Sequence, residues 1–207
     1  MAMRRSMILT PALMLFMLLP RCSEEPERLD DYLVDFATRI ATDEGCRYRL
    51  DNSRLLIPRK GDGCSGNDRQ RVILNYSFLN GDTIRVNAVN DIFTDGIRTD
   101  GFPEQYATDP VIIQSIWTGG GYLNMIIETE YHSRPHKVAL FRDINSETVD
   151  LWFSHSREGD PPGYRKKMYA SFSLDALSEK DDPQPIAFRL FIHTDSGVRT
   201  FHFTLQE

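Results

Sequence analysis

Apolar residues recur at every second position along this chain and almost nowhere at the spacing of a helix. A period of two lays alternate side chains on opposite faces of a strand, so the pattern predicts an all-β fold. Tyr32, Val34, Phe36, Thr38 and Ile40 share one parity of a first, half-buried strand. Cys46–Leu50 and Arg54–Ile57 flank a turn at Asp51-Asn52-Ser53. Pairing Asp51 with Arg54 puts Cys46, Tyr48, Leu50, Leu55 and Ile57 on one face and Arg47, Arg49 and Arg54 on the other. A longer hairpin runs from Arg71 to Leu79, turns at Asn80-Gly81 and returns over Thr83–Phe93. Val72, Leu74, Tyr76 and Phe78 fall on one face of it, Ile73, Leu79, Ile84 and Val86 on the other. Strands apolar on both faces suit a small closed barrel packed against a neighbour, and five strands in about 65 residues fit an OB-like Greek-key barrel.

Thr94–Pro110 is rich in Asp, Gly, Pro and Thr and breaks the alternation, which sets a domain boundary near Asp109-Pro110. Beyond it come seven strand-like runs, at about 111–117, 121–131, 136–142, 148–155, 165–173, 186–194 and 198–205. Seven short strands with turn punctuation predict an antiparallel β-sandwich. The last hairpin, with Ser196-Gly197 as its turn, sets Phe188, Leu190 and Ile192 against Leu205, Phe203 and Phe201 on a core face. Its polar face carries His193 and His202 as diagonal neighbours. Leu174–Glu179 is the single helix-like piece, one short turn in a connection.

The N-terminus gives an address. Arg4 and Arg5 precede an apolar run, Met7–Leu19, that ends at Pro20-Arg21-Cys22. That is the order of an export leader, and the run falls short of the ~20 residues a membrane-crossing helix needs. A cysteine closing such a leader is the acylation point of a bacterial lipoprotein, so residues 1–21 read as signal peptide and Cys22 as the lipidated first residue. Arg21 stands where a small residue is usual. An acidic tether, 22–30, leads to the barrel domain, 31–108, and the sandwich domain, 109–207. Anchoring predicts attachment to the membrane by the N-terminal lipid alone.

Lys and Arg number 24 against 30 Asp and Glu, a net charge of −6, and removing a leader that carries Arg4, Arg5 and Arg21 makes the rest more acidic still. Such a chain has no general attraction to phosphate backbones, which argues against a nucleic-acid partner. With Cys22 acylated, Cys46 and Cys64 remain as an even pair in an oxidising compartment. A disulfide between them would contribute about 3 kcal/mol in the chain-entropy picture. The alternative is two small buried thiols.

The chemistry-bearing residues form no recognisable constellation. No G-x-S-x-G or H-E-x-x-H motif occurs, so no catalytic residue is assigned. His193 with His202, and His132 with His136 around Pro135, lack a third ligand, so neither a metal site nor a cofactor is expected. Asp30-Asp31 and Asp181-Asp182 sit in connecting segments, where solvated charge explains them. Gly119-Gly120-Gly121 joins two strands and reads as a hairpin or bulge. Arg165-Lys166-Lys167 reads as a solvated strand edge. Trp152, on the outer face with Asp150 and Ser154, is the candidate partner contact: either a stacking platform for a sugar or an anchor for a partner, or else a ring packed under the first domain or a loop.

Arg71-Val72-Ile73-Leu74-Asn75-Tyr76 after the Leu50-Asp51-Asn52 turn resembles the first domain of NigD-like proteins. Asp109-Pro110 leading into Ile116-Trp117 and Gly121-Tyr122-Leu123-Asn124 is similar to the start of their second domain, and Leu151–His155 and Ser171–Leu174 follow in the same order. The resemblance implies an OB-like barrel followed by a β-sandwich in an exported outer-membrane lipoprotein of Bacteroidetes-type bacteria. Ser23-Glu24-Glu25 resembles the tag that sends such lipoproteins to the cell surface. The expectation is a non-catalytic envelope lipoprotein with a protein or glycan partner. Bacteriocin immunity, from the family's name, is the alternative, and an envelope hydrolase with a site assembled only on folding is the third reading.

Overall fold

Alternation does produce strands nearly everywhere it occurs. The computed structural model describes residues 31–62, 64–177 and 185–205; the leader 1–21, Cys22, the tether 22–30 and Asp181-Asp182 lie outside them. β1 (Leu33–Thr42), β2 (Gly45–Leu50), β3 (Leu55–Pro58), β4 (Arg71–Asn80) and β5 (Thr83–Asp91) close into a barrel in the order β1-β2-β3-β5-β4. β3 runs parallel to β5 and every other neighbour is antiparallel, which is the Greek-key order of an OB-type barrel. Ala37, Tyr48, Leu50, Leu56, Val72, Leu74, Tyr76 and Ile84 fill it. Cys46, at the rim, is joined by a disulfide to Cys64 in the β3–β4 connection.

Three side-chain placements depart from the alternation reading, each for a local reason. The β2–β3 turn holds three residues, with Leu50 N–H donating to Arg54 O at 2.9 Å and Ser53 in the left-handed region at φ 68°. Tyr48 therefore pairs with Leu56, and Leu56 points inward while Ile57 is exposed. A one-residue slip flips every side chain of a strand. In the β4–β5 hairpin, register shifts between Asn75 and Tyr76 and between Phe78 and Asn80 bring Ile84 opposite Phe78, into the core. In β1 the inward parity is that of Ala37 and the buried Arg39; Phe36 and Thr38 turn outward.

The remaining strands form the sandwich. β6 (Phe93–Asp95), β8 (Ile112–Gly119), β9 (Tyr122–Tyr131) and β12 (Tyr164–Ser173) make one sheet, ordered β6-β12-β9-β8. β7 (Ile97–Arg98), β10 (Lys137–Asp143), β11 (Val149–Ser156), β13 (Ile186–Thr194) and β14 (Gly197–Leu205) make the other, ordered β14-β13-β11-β10-β7. All seven expected runs are strands. The sheets are mixed, however: β6 with β12, β7 with β10 and β11 with β13 are parallel. Because β12 belongs to the opposite sheet, the chain returns to the side of β11 running in the same direction. Residues 93–98, which the alternation break had left to the barrel half, hydrogen-bond into both sandwich sheets. The chain steps between them at Gly96, whose N–H donates to Asp95 Oδ1 at 2.9 Å. Leu123, Met125, Ile127, Leu140, Leu151, Phe153, Phe172, Phe188, Leu190 and Ile192 lie in the core between the sheets. A 3₁₀ turn at Asp175–Leu177 follows β12.

Candidate functional site

The outward faces of β1 and β4 meet the outward face of the β6-β12-β9-β8 sheet, and Arg71 stands at the centre of that contact. It opens β4 on the parity opposite Val72 and Leu74, so its side chain leaves the barrel, yet it is 0% exposed. Nη2 pairs with Asp51 Oδ1 at 2.7 Å and donates to Asn124 Oδ1 at 2.8 Å. Nη1 donates to Thr38 Oγ1 at 3.2 Å, and Nε reaches Ser171 Oγ at 3.4 Å. The guanidinium also lies 4.6 Å from the Tyr122 ring centre. Asp51 Oδ2 accepts from Trp117 Nε1 and Asn124 Nδ2, each at 3.0 Å. Trp117 in turn meets Phe36 edge-on at 4.8 Å. One buried cation on β4 thus bonds a second barrel strand, a barrel turn and two sandwich strands.

The three glycines follow from this joint. Gly120 and Gly121 are the central residues of the β8–β9 hairpin, with φ of 61° and 84°, and a turn with both central residues at positive φ favours glycine. Gly119 has another constraint, because a Cβ there would lie 2.8 Å from Asp51 Cβ. Gly120 N–H donates to Asp51 O at 3.2 Å.

Between the β2–β3 turn, the β8–β9 turn and the end of β14 opens a cleft of about 530 Å³. Arg49, Ser53, Thr118, Asp175 and Thr204 line it with charges and hydroxyls, and Leu174 and Leu205 add apolar surface. Asp51 forms part of the wall, its Oδ2 taken by Trp117 and Asn124 and its Oδ1 in ion-pair contact with Arg71. The arrangement suits hydrogen bonding to a polar ligand, and ligand sites favour such boundaries between packed units.

The histidines assemble differently from the sequence expectation. His193 lies opposite Val198 and His202 opposite Arg189, while His193 packs 5.8 Å from the Tyr106 ring. His132 faces solvent, but its N–H, with those of Ser133 and Arg134, donates to Asp160. His136 bonds His155 across 2.9 Å and faces Asp160 Oδ2 at 3.4 Å. Burial pushes the Asp160 carboxyl up, but the three N–H donors and the His136 ring together hold it well below the usual range. For His155, burial pushes the ring down, against the pull of the Asp109 carbonyl. Among the described residues no group of three or more His, Cys, Asp or Glu side chains is placed to hold a metal ion.

Trp152 does lie on the outer face expected of it, but under a cover. Phe191 stacks on it at 4.4 Å, and Phe102 and Tyr106 close over it, each at 5.7 Å. Burial pushes the Tyr106 hydroxyl up to about 12. Packing beneath a loop is what the structure gives. Arg165 and Lys167 stand directly opposite Glu130 and Glu128, so the basic run is balanced across the sheet. The Arg71 joint escaped the sequence reading because its partners are up to 100 residues apart. A lone arginine opening an apolar strand was the only local signal.

No curated protein matches the chain. Solved structures do, three of them as follows. A protein called toxin related, from Parabacteroides distasonis ATCC 8503, is 25% identical with a TM-score of 0.76, over 85% of this chain and 94% of its own. A NigD-like immunity protein from Bacteroides caccae ATCC 43185 is 24% identical with a TM-score of 0.66, over 83% and 97%. A protein of unknown function from Bacteroides vulgatus ATCC 8482 is 18% identical with a TM-score of 0.71, over 86% and 92%. The last two share the fold. Residues 94–205 match the NigD-like C-terminal beta sandwich domain, which makes this chain a member of the NigD-like family.

Proposed function

We propose that the chain is an envelope lipoprotein, anchored in the outer membrane through Cys22, that binds a protein or glycan partner in the junction cleft without transforming it. The observation that carries the reading is the cleft itself, a groove lined with charges and hydroxyls whose barrel and sandwich walls are locked together by the bonds of Arg71 and Asp51 to Trp117, Asn124 and Ser171. A groove held in one shape loses little entropy on binding. The leader, the cysteine at its end and the acidic residues after it support the address.

The test presents the immobilised chain with envelope polysaccharides and with detergent-solubilised envelope proteins. Wild type is expected to retain a component and release it chemically unchanged, and the Arg49→Glu/Asp175→Lys variant to retain none. A component recovered shortened or hydrolysed sinks the binding reading. Intact mass of membrane-extracted protein tests the anchor: a chain without added acyl mass at Cys22 contradicts it. A second reading, a stoichiometric blocker of a bacteriocin at the envelope, is favoured by the family to which the sandwich belongs. Deleting the gene without any change in toxin sensitivity removes it.

A further inference from the structure

The bond between His136 and His155 admits a limited set of proton arrangements. His155 Nδ1 lies 3.0 Å from the carbonyl oxygen of Asp109, which can only accept, so Nδ1 carries a hydrogen. His155 Nε2 is then the bare nitrogen of the neutral ring, and His136 Nδ1 must be the donor across the 2.9 Å contact. The other His136 nitrogen faces Asp160 Oδ2, and that contact is a hydrogen bond only when Nε2 also carries a hydrogen. The pair can therefore hold three ring protons with every bond intact. A fourth has only His155 Nε2 to occupy, where it would set N–H against N–H inside a site in which His155 is 1% exposed.

His155 is also where the cover over Trp152 is fastened. Its N–H donates to Ala107 O at 3.2 Å, and its carbonyl accepts from Asp109 N at 3.1 Å. Next to it, Ser154 Oγ accepts from Ala107 N at 2.9 Å. Residues 107–109 thus end the Phe102–Tyr106 cover on the strand that carries the imidazole. We propose that His136 and His155 form an acid-sensitive latch: with up to three ring protons it ties the 131–136 turn, β11 and the 107–109 segment together, and a fourth opens it and loosens the cover over Trp152. The inference stands apart from whichever ligand the junction cleft takes.

Charged and titratable groups face the latch from every side. The 107–109 segment brings Asp109, whose carboxylate accepts from Arg157 N–H at 2.7 Å. β9 brings Tyr131, 5.7 Å from the His136 ring, and Glu130, paired with Arg157. β12 brings Lys166 over Tyr131, β10 brings Lys137 paired with Glu158, and the loop after β11 brings Asp160. Among these, the Asp160 carboxylate is the acceptor that faces His136 Nε2, which leaves a fourth ring proton only His155 Nε2.

The test uses the full-length chain, with amide exchange and ring-nitrogen NMR followed from pH 8 to pH 4.5. The expected result at neutral pH is a neutral His155 with its hydrogen on Nδ1. Below the His155 midpoint, protection of the Asp109 and His155 amides should fall by up to tenfold per pH unit, corrected for intrinsic rates, as one linked proton requires. The His136→Gln variant separates a latch from a merely structural contact. A glutamine amide can turn and offer its oxygen to a protonated His155, so its protection profile should stay nearly flat over the same range. Flat protection in wild type overturns the proposal, as does a His155 with its hydrogen on Nε2. An acid loss that is unchanged in His136→Gln overturns it too.

Discussion

Replacing Arg71 by methionine should be among the most damaging single changes outside the two cores. The side chain is fully buried, and its removal strands a carboxylate: Asp51 is 19% exposed and keeps only the neutral donors Trp117 Nε1 and Asn124 Nδ2. Asn124 Oδ1 keeps only Ser171 Oγ, which donates to it at 2.7 Å. Breaking a buried pair by removing one partner costs about 3–5 kcal/mol, and the remaining donors and partial hydration place Asp51 at the lower end, about 3 kcal/mol. For a folded unit of this size that is a fall in Tm of about 6–12 °C. Urea unfolding of wild type, Arg71→Met, Asp51→Asn and the double variant gives the pairwise term as well, expected at about 1–3 kcal/mol because the residues touch. A single variant within about 1 kcal/mol of wild type, or a coupling below about 0.5 kcal/mol, would refute the reasoning. The joint would then be a contact without energetic weight.

Other consequences are as direct. Removing the cystine with Cys46→Ala/Cys64→Ala frees a segment 18 residues long and should cost about 3 kcal/mol in urea unfolding, with exchange protection lost first in the β3–β4 connection. Trp152→Ala should cost about 3 kcal/mol through the lost stacking on Phe191 and Phe102; unchanged stability would show that the ring is not packed as described. Asp160 titrates in the folded chain below its ordinary value of 3.8. Its contribution is therefore complete above that value and disappears as pH falls through and below it. Asp160→Asn should flatten the acid limb of a stability–pH profile and lower stability at neutral pH.

The hairpins show why some of this was legible in the sequence and some was not. In the β13–β14 hairpin the turn is Asp195-Ser196, with Thr194 opposite Gly197, so Phe188 meets Phe203 and Leu190 meets Phe201. A turn at Ser196-Gly197 shifts those partners by two, and an even shift leaves every side chain on its face. The β2–β3 turn differs by one residue, and that odd shift exchanged Leu56 for Leu55 and Ile57. The β4–β5 bulges did the same to Ile84. Alternation specifies strands and, where the turn length is right or wrong by two, faces. It carries no information on which outward residues of one unit will meet those of another, so Arg71, Asp51, Asn124 and Ser171 could not be joined from it. The same limit hid the His136–His155–Asp160 chain, where His155 sits at the end of an otherwise well-read strand.

Photo-crosslinking from the cleft tests most directly the proposal that a partner binds there. A photoreactive residue at Ser53, on the cleft wall, is compared on intact cells with one at Ile144, an exposed position on the β10–β11 turn. The expected result is a discrete adduct from position 53 that disappears with Arg49→Glu, and none from position 144. Equal labelling from both positions, or an adduct at 53 that survives Arg49→Glu, would contradict it.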